Sequence, residues 1–347
     1  MKSLTLNKSW WILSLLVVLC ITVGGGCKKA AGGINGIANC IKGDCNDGRG
    51  VQQYMNGDMY EGEFKHGMRN GKGTYTSASG EKYVCSWKEN LQEGNGEYYA
   101  PNGDKYVGNF KEGKMNGKGI YTFAKGDTYD GEFVNDNQNG KGKMTYANGN
   151  TIVGNWTNGK VEGEADMTLP NGDRYQGHYA NGKREGKGKM TYATGDRYEG
   201  DWALGQRQGT GSLKKSDGTI YDGAFANGQL SGEGKLQLSS GSTYAGNFKN
   251  GRYEGKGKLK LANGDNYEGE FLAGKMNGKG NYVYADGTKY EGDWISDQKQ
   301  GNGVLVYANG SIYTGQFISG KPHGQGKLTN SLAQTQEGNF IQGKYVP

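Results

Sequence analysis

Carboxylates recur directly after one aromatic position of this chain, at Glu61, Asp130, Glu199, Asp222, Glu268 and Glu291. Paired carboxylates can divide acid and base work on a glycosidic bond. These copies instead follow the same anchor residue each time and fall on one face of a repeated strand, opposite its rings, as a solvated charged face does. Asn-Gly-Asp runs such as Asn56-Gly57-Asp58 carry oxygen ligands of the kind calcium takes. Oxygen-rich β-rolls, however, use shorter periods with several aspartates per turn. Gly117-Lys118-Gly119 and Gly278-Lys279-Gly280 look like phosphate cradles, but no strand, loop and helix surround them. His66, His178 and His323 are scattered, and none stands at metal-ligand spacing. A catalytic site needs a unique constellation, whereas these groups come in copies. No catalytic, cofactor or metal residue is assigned, and an enzyme is not expected.

The copies belong to a repeat of 23 residues without insertion or deletion, anchored at Tyr60, Tyr83, Tyr106, Tyr129, Ile152, Tyr175, Tyr198, Tyr221, Tyr244, Tyr267, Tyr290, Tyr313 and Gln336. Self-similarity at a fixed period of this size marks a quasi-one-dimensional repeat protein. Four residues after the anchor stands an aromatic ring in all thirteen copies, and two residues after it a glycine in twelve, Cys85 being the exception. Anchor, glycine and ring alternate with polar residues, the period of a strand with one apolar face. The glycine lets two large rings lean together. Asn-Gly and Asp-Gly pairs close the unit at Asn56, Asn102, Asn148, Asn171, Asp217, Asn263, Asp286 and Asn309. Both residues of such a pair tolerate positive φ, so tight hairpin turns are expected there. The expected fold is all-β: an elongated, twisted, single-layer antiparallel meander of about twelve hairpins, occupying 48–347, with 336–347 as an incomplete C-terminal cap unit.

Units such as Tyr267-Glu268-Gly269-Glu270-Phe271 and the run from Tyr106 to Gly119 resemble the MORN repeat (membrane occupation and recognition nexus). The resemblance spans 48–343. It implies a sheet of hairpins serving as a scaffold, a membrane-associated module or an assembly part, with repeats that are not themselves catalytic. Ile152 and Gln336 at the anchor and Cys85 at a glycine depart from the pattern.

Ahead of the array, Lys2 and Lys8 precede an apolar run from Trp10 to Val23, then Gly24, Gly25, Gly26 and Cys27. This reads as a secretory signal peptide over 1–26, the apolar run being shorter than the roughly 18–20 residues of a membrane span. A cysteine after small residues resembles a bacterial lipoprotein signal, which implies acylation of Cys27. Gly24 stands where that family usually carries an aliphatic residue. Residues 27–47, rich in glycine, alanine and asparagine, read as a lipidated flexible tether. In an oxidising envelope Cys40 and Cys45 can pair, leaving Cys85 free. The expected location is the bacterial cell envelope, on the outer membrane.

The net charge of +6 falls to +4 once Lys2 and Lys8 leave with the leader. That is too weak and dispersed for nucleic acid. The charge is patterned all the same. Lys or Arg stands eight residues after the anchor at Lys114, Lys160, Lys183, Arg252, Lys275, Lys321 and Lys344, and lysine recurs four residues later at Lys72, Lys118, Lys141, Lys187, Lys256 and Lys279. Acids stand at the opposite turns: Asp58, Glu81, Asp104, Asp127, Asp173, Asp196 and Asp265. One basic and one acidic long edge are therefore expected. The basic edge would suit anionic lipid headgroups or an acidic envelope polymer. The expected function is a non-enzymatic, membrane-tethered scaffold or interaction module with a protein partner. The alternative is a cell-wall glycan- or choline-binding module. An apolar face left uncovered would call for a second copy, a homodimer.

Overall fold

The structure is a computed structural model that describes residues 38–347. The signal peptide expected over 1–26 and Cys27, with its acylation, lie outside the described residues. The chain forms two compact units: the first runs to Ala124 and takes in Glu132–Asn137, the second takes Lys125–Gly131 and Gln138–Pro347. Within each, strands pair antiparallel with their neighbours in sequence, and the described residues contain no helix. The all-β hairpin meander is the fold observed.

Each full hairpin joins a seven-residue strand to a nine-residue strand, for example Arg197–Ala203 to Gln206–Lys214. The two-residue turn between them, Leu204-Gly205, has both residues at positive φ, 51° and 83°. This is the primed turn whose twist matches paired strands. The Asn-Gly and Asp-Gly pairs do something else. At Lys215 to Thr219 the Gly218 N–H donates to the Lys215 carbonyl at 3.1 Å, the Lys215 N–H donates to Thr219 at 2.8 Å, and only Gly218 has positive φ. The expectation that both residues of these pairs take positive φ is thus corrected. The asparagine or aspartate keeps ordinary backbone geometry in a three-residue loop, and the glycine alone turns left-handed.

The glycine two residues after the anchor also has a sharper reason than expected. In the hairpin at Tyr290, Gly292 pairs with Gly303 across the ladder. The Tyr290 ring lies over this pair, and its hydroxyl donates to the Asp293 carbonyl at 2.9 Å. A Cβ on Gly303 would come within 2.6 Å of that ring and one on Gly292 within 2.5 Å of its hydroxyl. The same hydroxyl bond recurs at Tyr60, Tyr106, Tyr175, Tyr198, Tyr221, Tyr244, Tyr267 and Tyr313. Rings then alternate edge to face: Tyr198 meets Trp202 at 5.3 Å and Phe225 at 5.0 Å. Such pairs contribute about 0.5–1.5 kcal/mol beyond area burial. Where the ring is tryptophan, its indole N–H donates to a glycine carbonyl of the preceding hairpin, as from Trp202 to Gly188 at 3.1 Å. Burial pushes the phenols of Tyr198, Tyr221 and Tyr244 up to about 12.

Side chains of one chain suffice to cover the rings. Tyr198 and Tyr313 are 0% exposed, Phe225 3% and Phe317 1%. Among the described residues, side chains nine and fifteen after the anchor lie against the rings, as Arg184 does over Trp202, Tyr253 on Tyr244 and Tyr282 beside Tyr267.

At the N-terminal end the expected tether is shorter than drawn. Asn39–Gly43 is a strand paired with Arg49–Gln53. Cys40 and Cys45 are joined, with their Cα atoms 5.8 Å apart. Asp47 accepts the backbone N–H of His66 at 2.8 Å. Residues 39–47 therefore belong to the first, shortened hairpin. The expected tether over 27–47 is corrected to this extent, with 27–37 outside the described residues. At the other end Thr335–Ile341 pairs with the three-residue strand Lys344–Val346, and Gln336 is exposed where the other units bury a tyrosine or, once, Ile152.

Candidate functional site

The two kinds of turn treat their charged residues in opposite ways. At the turns between units, each aspartate accepts the backbone N–H of the next such turn; Glu81 faces Pro101, which has no N–H, and takes only the Tyr98 hydroxyl at 3.4 Å. Asp104 takes Ala124 at 2.7 Å, Asp173 takes Ala193 at 2.8 Å, Asp196 takes Ser216 at 2.9 Å, and Asp265 takes Ala285 at 2.8 Å. Asp127 does the same with Ala147 and pairs with Lys125 at 2.8 Å. Tyrosine hydroxyls add a second bond, from Tyr121 to Asp104 at 2.8 Å and from Tyr282 to Asp265 at 2.7 Å. Tyr75 bonds Asp58 likewise, and Ala78 donates to the other oxygen of Asp58 at 2.9 Å. The Tyr282 hydroxyl above all, helped by the Ala285 N–H and the Asn263 amide, holds the Asp265 carboxyl below the usual carboxylate range, although burial opposes it more strongly than either helper acts. The expected acidic edge is thus a staple of loop to loop. Its charges are engaged internally because a turn N–H needs an acceptor.

At the turns inside hairpins the staple comes from a different position. The residue ten after the anchor accepts the next turn's N–H, as Glu162 does from Asn181 at 2.8 Å and Glu254 from Ala273 at 3.0 Å. The cations eight after the anchor are left out of it. Lys114 in the first unit, and Lys160, Lys183, Arg252, Lys275, Lys321 and Lys344 in the second, are all exposed. None of them belongs to an ion pair among the described residues. The lysines twelve after the anchor do not extend this edge. They lie inside the ladder on the polar face: Lys187 pairs with Asp201 at 2.5 Å and Lys279 with Asp293 at 2.6 Å, while Lys72 stands opposite Ser86 and Lys141 opposite Asn155. The expected second basic row is corrected accordingly.

The remaining candidates resolve into structure. Glu61, Asp130, Glu199, Asp222, Glu268 and Glu291 are exposed on the polar face, one per hairpin, and Glu268 is held by cross-strand Lys258 at 2.9 Å. Gly119 and Gly280 lie beneath the Tyr106 and Tyr267 rings, so those Gly-Lys-Gly runs serve the core. A shallow polar furrow of about 540 Å³ runs over Gly177, Gly188, Gly200 and Gly211, walled by Glu164, Lys187, Lys189 and Glu199. Among the described residues no group of three or more metal-ligating side chains converges.

Two columns escaped the sequence reading. Nine after the anchor, cations lie on the ring face. Arg184 sits 4.4 Å from the Trp202 centroid and donates to the Gly205 carbonyl at 2.6 Å, and Arg207 repeats the bond to Gly228. Burial draws the Lys299 ammonium below its ordinary range. Five after the anchor, the last four hairpins carry exposed aliphatic residues in place of the lysines of the first three. Reading the repeat down its columns would have found both.

A family model described as MORN repeat matches residues 60–82, 86–105, 106–128, 129–151, 153–174, 175–197, 198–220, 221–243, 244–266, 267–289, 290–312 and 313–331. Comparison with curated proteins returned no match. Among solved structures, the TCP domain of SAS-4 (dCPAP) of Drosophila melanogaster, in complex with a proline-rich motif of Ana2 (dSTIL), is 18% identical, covering 51% of this chain and 90% of that chain with a TM-score of 0.29. The TCP10 domain of Danio rerio CPAP in complex with a STIL peptide is 12% identical, covering 88% and 100%, with a TM-score of 0.18. A streptogramin B lyase is 13% identical, covering 79% and 84%, with a TM-score of 0.13. At such TM-scores these likenesses say nothing about function.

Proposed function

The chain belongs to the MORN repeat family, and from that premise we propose that it is a non-enzymatic envelope scaffold whose basic turn row meets anionic headgroups or an acidic envelope polymer. The observation that carries this reading is the contrast between the two turn edges. The aspartates are engaged in loop staples, while in the second unit Lys160, Lys183, Arg252, Lys275, Lys321 and Lys344 are exposed and belong to no ion pair among the described residues. Single exposed cations attract anions weakly, but rows of them add, at roughly 1 kcal/mol per lysine near an anionic surface. Acylation of Cys27 would hold the array at the membrane, since several acyl chains anchor firmly where one does not.

Two measurements test the reading. Binding of the full chain to phosphatidylglycerol vesicles and to purified envelope polymer should drop at least tenfold when Lys114, Lys183, Lys275 and Lys321 are all replaced by glutamine; unchanged binding defeats the basic-row reading. Mass spectrometry of the mature N-terminus should find an acylated Cys27, and a Cys27→Ser chain should leave the membrane fraction. In-cell crosslinking with the intact array tests the scaffold role. Glycan or choline binding draws no support from the rings, which are closed over (Trp202 is 4% exposed); a Trp fluorescence response to either ligand would revive it.

A further inference from the structure

The last strand residue before the inner turn lies on the polar face. It is lysine in the first three full hairpins, Lys65, Lys88 and Lys111. In the last four hairpins of the second unit it is Leu272, Ile295, Ile318 and Ile341, which are 55%, 56%, 43% and 48% exposed. Across their turns Leu272 stands opposite Lys275, Ile318 opposite Lys321, and Ile341 opposite Lys344. The result is an aliphatic stripe, one side chain per hairpin, bordered at three of its four positions by exposed lysines that belong to no ion pair among the described residues, with Gln298 opposite Ile295.

The spacing of this stripe is restrictive. Successive hairpins are two strands apart, about 9.6 Å. Positions seven apart on an α-helix lie on one face and about 10.5 Å apart. A helix laid across the strand ends would therefore offer one apolar side chain to each aliphatic of the stripe, and its flanking positions to the lysines. We propose that this stripe docks an acidic amphipathic helix of a partner protein. The proposal rests on the scaffold reading above and names the partner's chemistry. Lysines at the border select acidic flanks on the helix. The area also favours a helix over a second copy. Four half-exposed side chains offer roughly 400 Å², about half of the 800 Å² per partner in a stable protein interface. Each aliphatic is also half sunk among its neighbours, a flush strip suited to packing against a ridge of side chains rather than to wedging into a bilayer.

The test uses the full chain and a synthetic helical peptide of about 25 residues, with leucines seven apart and glutamates beside them. A control peptide has the same composition with the leucines moved off the heptad. The heptad peptide should bind at least tenfold more tightly than the control. Joint replacement of Leu272, Ile295, Ile318 and Ile341 by serine should lose at least tenfold without changing the melting temperature. Lys275→Glu with Lys321→Glu should weaken binding, and a peptide with lysines for glutamates should restore it. Equal binding of the two peptides, or indifference to the serine variant, overturns the proposal. So does phosphatidylglycerol vesicle binding that the serine variant abolishes, which makes the occupant a bilayer. Self-association lost in that variant makes it a second copy and overturns the proposal equally. If the peptide fails while crosslinked partners persist in cells, the stripe assignment falls and the scaffold survives. If no partner crosslinks to either chain, the scaffold reading falls as well.

Discussion

The hairpin at Tyr290 and the hairpin at Ile152 solve one packing problem with different residues. At Tyr290 the ring covers Gly292 and Gly303, and its hydroxyl closes on the Asp293 carbonyl. At Ile152 there is no ring and no hydroxyl, and the glycine that Gly303 represents is replaced by Ala165, paired with Gly154. Ile152 and Ala165 are each 7% exposed, against 1% for Tyr290. A methyl group at Ala165 fills space that the shorter anchor leaves open. At Ile152 the anchor and the facing glycine thus change together, whereas at Tyr83 the ring is kept beside Cys85 and lies tilted against Tyr98 at 4.7 Å.

The largest expected effect concerns several tyrosine-anchored hairpins at once. Burial raises the Tyr198, Tyr221 and Tyr244 phenols to about 12 from an ordinary value of 10.0. A group whose folded value is raised gives stability that is whole below its unfolded value and lost as pH rises towards the folded one. Melting temperature should therefore stay level up to about pH 10 and fall steeply between pH 10 and 12. Phenolate absorbance should appear together with unfolding. Ionisation of the anchors well before loss of β-sheet circular dichroism would show that the rings are not sealed over their glycines.

Next in size is Gly303→Ala. The new Cβ would stand 2.6 Å from the Tyr290 ring, and overpacking of this sort typically costs about 1–3 kcal/mol. Replacing Tyr290 by isoleucine in the same chain should recover much of the loss, copying the Ile152 and Ala165 arrangement. Hydrogen exchange of the amides between Lys289 and Val306 reads the local cost, where a global melt of a repeat array would blur it. Additive losses in the double variant would separate anchor from glycine and break the comparison.

The repeat, the strand alternation and the ring-bearing face were legible because a period of 23 residues places the same physics at the same position thirteen times. The repeat class followed from the same regularity. Three things were hidden. The glycine pair joins residues from two strands, and only the register shows that Gly292 faces Gly303. The Asn-Gly pairs suggested primed turns by composition, while the primed geometry sits where composition is mixed, at His66-Gly67 and Leu204-Gly205. The acids at the turns looked like an edge charge, because the acceptor role of Asp104 depends on an N–H twenty residues away, at Ala124.

Tyr290→Phe isolates the hydroxyl from the ring. Its bond to the Asp293 carbonyl should be worth about 1 kcal/mol, since the ring contacts with Trp294 and Phe317 at 5.2 Å and 4.9 Å stay in place. Protection from exchange in that hairpin should fall about fivefold. No loss would mean that water serves the carbonyl equally well, and that the ring alone distinguishes this hairpin from the one at Ile152.

The smallest effect comes from turning the odd hairpin into an ordinary one. Ile152→Tyr alone should destabilise, because the Ala165 methyl occupies the place the ring needs; in other hairpins a Cβ there lies 2.2–2.6 Å from the tyrosine, as at Gly73 and Gly303. Joined with Ala165→Gly, it should restore ring contacts to Trp156 and Tyr179 and a hydroxyl bond to the Asn155 carbonyl. Gains of about 1 kcal/mol from the bond and about 0.5–1.5 from ring pairing stand against a glycine in a strand, which costs about 0.5–1. Those terms leave a gain of roughly 0.5–2 kcal/mol, reduced by the burial that Ile152 gives up, with a coupling between the two sites larger than the net gain. A double variant no better than Ile152→Tyr alone would mean that Ala165 answers some neighbour other than the anchor.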